Sequence, residues 1–192
     1  MSFTSKWLKT EKCECGRQGN NGMLNLVECR MKPITFTCEE TLLLAPEDIA
    51  RQILDLTKWP NFNGYGPIPG IKVAEFEVQT PGIVGTRIRV TNGDGSSHIE
   101  EIVEWEPDHR LRLEMKEFSA PLSKLATGFE ETWDFKRTGN ETHVTRSFRL
   151  HAKSVLARLL LWVISIFLKR AIVRHLREMR TNEVAGRSTV SE

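Results

Sequence analysis

Residues Ser154 to Arg180 read SVLARLLLWVISIFLKRAIVRHLREMR, and their spacing predicts one long helix. Ala157, Leu161, Ile164, Leu168, Ile172 and Met179 recur at helical intervals, so they form a stripe that can lie along a whole sheet. At ~1.5 Å per residue the helix is roughly 40 Å long. Ser154 is placed to cap its start, and Lys169, Arg170, Arg174, Arg177 and Arg180 suit the negative end of its dipole. The run between Arg158 and Lys169 is far short of the ~20 apolar residues needed to span a bilayer, so the helix is expected to be buried in protein. Its first half nevertheless carries a second apolar stripe, Val155, Leu159, Trp162 and Ile166, on the opposite side. Three covers for that stripe are open: the N-terminal extension, a second copy in a homodimer, or a membrane surface.

The chain has 192 residues, enough for one domain with a substantial core and an appendage. Its 27 Lys and Arg against 25 Asp and Glu leave +2, which argues against nucleic acid as a partner. The basic excess is local. From Lys153 to Arg180 there are seven basic residues against Glu178 alone, which reads either as a solvated helix face or as peripheral contact with anionic lipid. Residues 1–30 have no continuous apolar segment of the secretory kind, so a cytoplasmic location is expected. Cys13, Cys15, Cys29 and Cys38 form no C-x-x-C pair and have no nearby His, so they are read as reduced thiols, and no metal site is expected.

Residues 1–32, with Gly16, Gly19, Asn20, Asn21 and Gly22, read as a flexible arm. Ile34 to Leu44 reads as a strand. Pro46-Glu47-Asp48 then opens a helix that is expected to break at Trp59-Pro60, because a residue before proline is driven from the helical region. Six further strands follow: Ile71 to Gln79, Thr86 to Thr91, His98 to Glu106, Arg110 to Phe118, Phe129 to Arg137 and Thr142 to Leu150. Hairpin-type loops such as Asn92-Gly93-Asp94-Gly95 and Thr138-Gly139-Asn140-Glu141 join them into an antiparallel meander. The expected architecture is α+β, a helix-grip fold in which a curved antiparallel sheet wraps a long C-terminal helix. Residues 33–182 are expected to form this domain and residues 183–192 a tail.

The phrases APEDI (45–49), DLTKWPNF (55–62), GTRIRV (85–90), EWEPDHRL (104–111) and GFEETWDF (128–135), in that order before a long helix, resemble the START/Bet v 1-like superfamily. Within it they are most similar to the polyketide cyclase/dehydrase and lipid-transport group. The resemblance covers about residues 34–180. It implies a hydrophobic pocket between sheet and helix, which in different members serves sterols, lipids, polyketides or quinones.

Period-2 reading of the strands puts three ionisable groups on otherwise apolar faces: Glu101 with Ile99, Val103 and Trp105; Glu131 with Phe129, Trp133 and Phe135; and Arg146 with Val144, Phe148 and Leu150. A regular hairpin at Gly139-Asn140 sets Trp133 opposite Arg146 and Glu131 opposite Phe148, which makes Glu131 and Arg146 diagonal neighbours. A hairpin at Pro107-Asp108-His109 sets Trp105 opposite Leu111 and Glu101 opposite Met115. Charges on such faces are either paired or meet a ligand's polar end. Both readings stand for Glu131 and Arg146, whereas Glu101 points to the pocket. His175, on the buried stripe, reads as a core histidine rather than a base.

The expected ligand wall comprises Trp59, Phe62, Glu101, Trp105, Met115, Glu131, Trp133, Arg146, Leu161, Ile164 and Leu168. Segments Trp59 to Gly70 and Ser119 to Thr127 are expected to form its rims. The first functional reading is binding or transport of a hydrophobic small molecule. The alternative is a cyclase- or dehydratase-type enzyme without metal or organic cofactor, in which Glu101 or Glu131 moves a proton and Arg146 stabilises an enolate. A third is a scaffold that recruits a protein partner through the apolar face of the C-terminal helix.

Overall fold

A computed structural model describes the backbone of residues 31–188 and the side chains of residues 31–182, so the N-terminal arm and Cys13, Cys15 and Cys29 lie outside the described residues. The chain runs β1 (Ile34–Leu42), α1 (Pro46–Leu54), a 3-10 turn (Leu56–Asn61), β2 (Ile71–Val78), β3 (Arg87–Asn92), β4 (Ser97–Glu106), β5 (Arg110–Lys116), a short 3-10 turn (Leu122–Lys124), β6 (Ala126–Thr138), β7 (Glu141–Ala152) and α2 (Val155–Ser188). The seven strands form one antiparallel sheet in the order β1-β7-β6-β5-β4-β3-β2. Strands β2 to β7 are the expected meander, and β1 returns beside β7. The segment carrying α1 therefore connects one edge of the sheet to the other.

α1 begins as its sequence dictates, with Pro46 in the first turn, Glu47 and Asp48 at the positive end of the dipole, and Ile49 and Ala50 buried. It ends earlier than Trp59-Pro60. The Asp55 carboxylate accepts hydrogen bonds from Thr57 N at 3.3 Å and Thr57 Oγ1 at 2.5 Å, an Asx-type turn that diverts the backbone first. Pro60 then sits inside the 3-10 turn, and Trp59 Nε1 donates to the Ile53 carbonyl at 2.9 Å, which fixes the indole.

α2 starts where Ser154 Oγ accepts from Ala157 N at 3.1 Å, and it continues past Arg180 to Ser188, so residues expected in the tail prolong the helix. Ala157, Leu161, Ile172 and Leu176 are buried against the sheet, while Val155, Leu159, Trp162 and Ile166 are exposed. The helix lies along β1 and β7, with Cys38 Sγ 3.8 Å from the Lys169 carbonyl. Packing against that end of the sheet leaves a gap over β4, β5 and β6. No helix among the described residues is long and apolar enough to cross a membrane.

Register follows the expectation at the β6–β7 hairpin, where Trp133 pairs with Arg146 and Glu131 with Phe148. It departs from it in β4. Trp105 pairs with Leu111, but the register shifts between Ile102 and Glu104, so Ile102 faces Leu113, Glu101 faces Glu114 and Glu100 faces Met115. Val103 is the extra residue of a bulge. Because side chains alternate along a strand, one inserted residue exchanges the faces of everything before it. Ile102 is fully buried in the core and Glu101 is on the outer face.

Candidate functional site

The gap between sheet and α2 is a cavity of about 900 Å³. β5, β6 and β7 supply its floor with Leu113, Met115, Phe129, Glu131, Trp133, Arg146 and Phe148, and α2 supplies the opposite wall with Ile164, Leu168, Ile172, His175 and Met179. The rims are Trp59 to Pro69 and Phe118 to Leu125, with Pro60, Pro67, Pro69 and Pro121 among their residues. Gly64 and Gly66 in the first rim hold positive φ, and a Cβ on Gly64 would strike the Ile68 and Pro69 backbone.

Arg146, Glu131, Glu100 and His175 are polar groups set into the apolar part of the wall. Arg146 Nε and Nη2 both donate to Glu131 Oε1, at 2.7 and 2.5 Å, and the guanidinium lies 4.0 Å from the Trp133 ring centre. The stack and the pair together position a cation that is only 7 % exposed. Glu131 is 3 % exposed, and burial pushes its carboxyl above the ordinary range even though Arg146 pulls it down. Glu100, at the cavity edge of β4, shares a 3.1 Å hydrogen bond with His98 Nε2, and its charge pushes Glu131 up further. Arg146 Nη1 is buried and has no acceptor among the described residues. His175 meets Phe62 edge-on at 5.7 Å, and burial, then Arg146, push its pKa down to about 4. It is therefore neutral near pH 7.

Of the residues singled out from sequence, Trp59, Phe62, Met115, Glu131, Trp133, Arg146, Ile164 and Leu168 come together around this cavity. Glu101 does not. The Val103 bulge turns it outward, where it lies 3.7 Å from Arg87 and 3.5 Å from Lys116. Trp105 and Leu161 also stand apart from the cavity: Trp105 packs beside the core on the far side of the bulge, and Leu161 is fully enclosed between α2 and the sheet. Glu100 lines the cavity, which the period-2 reading misses. The adjacent pair Glu100-Glu101 is a usable signal, because in either register one of two consecutive carboxylates must face inward. His175, read as a core residue, stands in the cavity wall.

Residues 33–182 match the model of the family described as polyketide cyclase / dehydrase and lipid transport. A comparison with curated proteins finds no match. Among solved structures the chain is similar in fold to TTHA0849 from Thermus thermophilus, at TM-score 0.60 and 18 % identity over 80 % of this chain and 99 % of that one. It is also similar to Ara h 8.0201, at TM-score 0.54 and 18 % identity over 76 % and 99 % of the two chains. A START superfamily protein from Mycobacterium smegmatis matches at TM-score 0.54 and 12 % identity, over 76 % and 98 %.

Proposed function

The chain belongs to the polyketide cyclase / dehydrase and lipid transport family of START/Bet v 1-like proteins, and from that premise we propose that it binds a hydrophobic small molecule between sheet and α2 and carries it in protected form. The observation that supports this reading best is a cavity of about 900 Å³ with apolar walls and one buried polar cluster. That volume is at the upper end of the ~300–1,000 Å³ of small-molecule sites. The walls supply affinity through burial of apolar surface, at ~25 cal/mol per Å². Arg146, Glu131 and Glu100 orient the ligand, and the unmatched Nη1 of Arg146 favours a ligand with an oxygen acceptor at its polar end. The site residues proposed are Trp59, Phe62, Met115, Trp133, Ile164 and Leu168 for the apolar body, with Arg146, Glu131 and Glu100 for the polar end.

Titration with 1-anilinonaphthalene-8-sulfonate tests this reading. Saturable enhancement of its emission by the folded chain, reduced in a cavity-filling Leu168→Trp variant that melts normally, is the expected result. Native mass spectrometry should also retain a hydrophobic passenger after mild purification. Absence of dye binding together with a bare-chain mass would overturn the proposal.

A cyclase-type reading keeps one specific support. Glu131 is a carboxyl pushed upward by burial beside a guanidinium, so it can hold a proton closer to neutral pH than an exposed glutamate. Glu101 leaves that reading, since it lies outside the cavity. Under it, Glu131→Gln lowers turnover of a polyketide-like substrate by ~10²-fold or more with affinity retained; under simple carriage there is no turnover to lose.

A further inference from the structure

The solvent side of α2 changes character along its length. From Val155 to Ile166 its apolar side chains are bare, between 37 % (Ile166) and 76 % (Leu156) exposed, with Trp162 at 56 %. From Lys169 onward the same side is basic. At about 100° per residue, Arg170, Arg174 and Arg177 follow Leu159, Val163 and Ile166 along the helix. There Lys169, Arg170, Arg174 and Arg177 border a surface groove of about 660 Å³ whose floor includes Tyr65, Ile166 and Val173. Glu178, at the end of the groove, is already held by Arg174 Nε at 2.7 Å.

An apolar patch continuous with a basic groove narrows the choice of occupant. The bare segment is bounded by Arg158 and Lys169, too short to span a bilayer but long enough to lie in its interface. A second copy packed helix to helix would supply apolar area and no counter-charge, because Lys153 to Arg177 contains no acidic residue. A surface with an apolar interior and a phosphate layer complements both halves. We infer that the solvent face of α2 docks this protein on an anionic lipid surface, with Leu156, Leu159, Leu160, Trp162 and Val163 entering the acyl boundary. Lipid phosphates occupy the groove of Lys169, Arg170, Arg174 and Arg177. Trp162 is suited to that depth, since its ring is apolar and its Nε1 donates to the wet headgroup layer. This docking does not depend on what the cavity holds: none of its residues lines the cavity.

Flotation of the full chain with phosphatidylcholine vesicles, with and without phosphatidylserine, tests the inference. The chain should float with the phosphatidylserine vesicles, and added salt should weaken the association. Trp162→Glu should abolish flotation while leaving the melting curve and dye binding in the cavity unchanged. Arg170→Gln with Arg177→Gln should weaken binding about 25-fold, at about fivefold for each cation removed. Absence of flotation overturns the inference, including the case in which a doubled mass that Trp162→Glu reverses shows a second copy on this face. Equal flotation of Trp162→Glu, or binding to phosphatidylcholine alone that salt does not change, overturns it as well.

Discussion

Arg146 and Glu131 show why a single buried charge and a buried pair must be treated differently. Each is nearly inaccessible, and each is tolerable only because the other is 2.5 to 2.7 Å away. Arg146→Met leaves the carboxylate without its cation and is expected to cost ~3–5 kcal/mol in urea unfolding. Adding Glu131→Leu should recover most of that loss, because two apolar residues of similar volume need no partner. His175 makes a different prediction. With a folded pKa of about 4 against an ordinary 6.5, it stays neutral in the fold where the unfolded chain binds a proton. Its contribution is therefore complete above pH 6.5 and is lost as pH falls towards 4, by roughly 3 kcal/mol. Glu131 acts with the opposite sign, since a raised carboxyl pKa favours the folded state as pH falls. Denaturant midpoints of wild type and His175→Gln between pH 7 and 4.5 separate the two: the acid-side loss should shrink in the variant.

Neighbouring positions on α2 differ according to the side of the helix they occupy. Leu161 is fully enclosed and Leu159 is 62 % exposed. Leu161→Ala is expected to destabilise by ~2–5 kcal/mol, through lost burial and the cavity left behind, and Leu159→Ala to stay within ~0.5 kcal/mol in the same unfolding measurement. β4 teaches the converse lesson about strands. α2 runs as one uninterrupted helix, so its period holds along its length, whereas in a strand the period of two is reversed by one extra residue. Hence the buried stripe of α2 was readable from Ala157 to Met179, and the inward face of β4 was readable only on one side of Val103. β6 and β7 have no bulge between Gly128 and Thr138, and there the diagonal meeting of Glu131 and Arg146 followed from the hairpin alone.

For the molecule as a whole, ligand and stability are linked. Anything that binds the folded cavity and not the unfolded chain raises stability by RT ln(1 + [L]/Kd), about 2.7 kcal/mol at a hundredfold excess over Kd. For a chain of this size that corresponds to a Tm increase of ~5–10 °C by differential scanning calorimetry. A compound that quenches Trp59 or Trp133 without raising Tm would be one that binds the unfolded chain as well as the folded one. Under the proposed carriage, protein stripped of its hydrophobic passenger should melt lower than protein purified mildly, and adding the passenger back should restore the higher Tm.

Element types, their order and the meander came from local information: β-branched alternation, Pro46 with its two acids, hairpin loops, and a helical stripe are all properties of short windows. The gripping arrangement also followed, because an apolar stripe of that length and an apolar sheet face have to cover one another. What required the folded chain was everything that depends on where distant segments meet to within a residue. Among these are the bulge that exchanged Glu101 for Glu100, the Asx turn that ended α1 before Trp59, and the place where α2 rests on β1 and β7. That last offset opened the cavity and brought His175 to its wall. Local preferences choose between helix and strand by margins they carry themselves, whereas a one-residue slip or a sideways shift of a helix is decided only by the packing of the completed core.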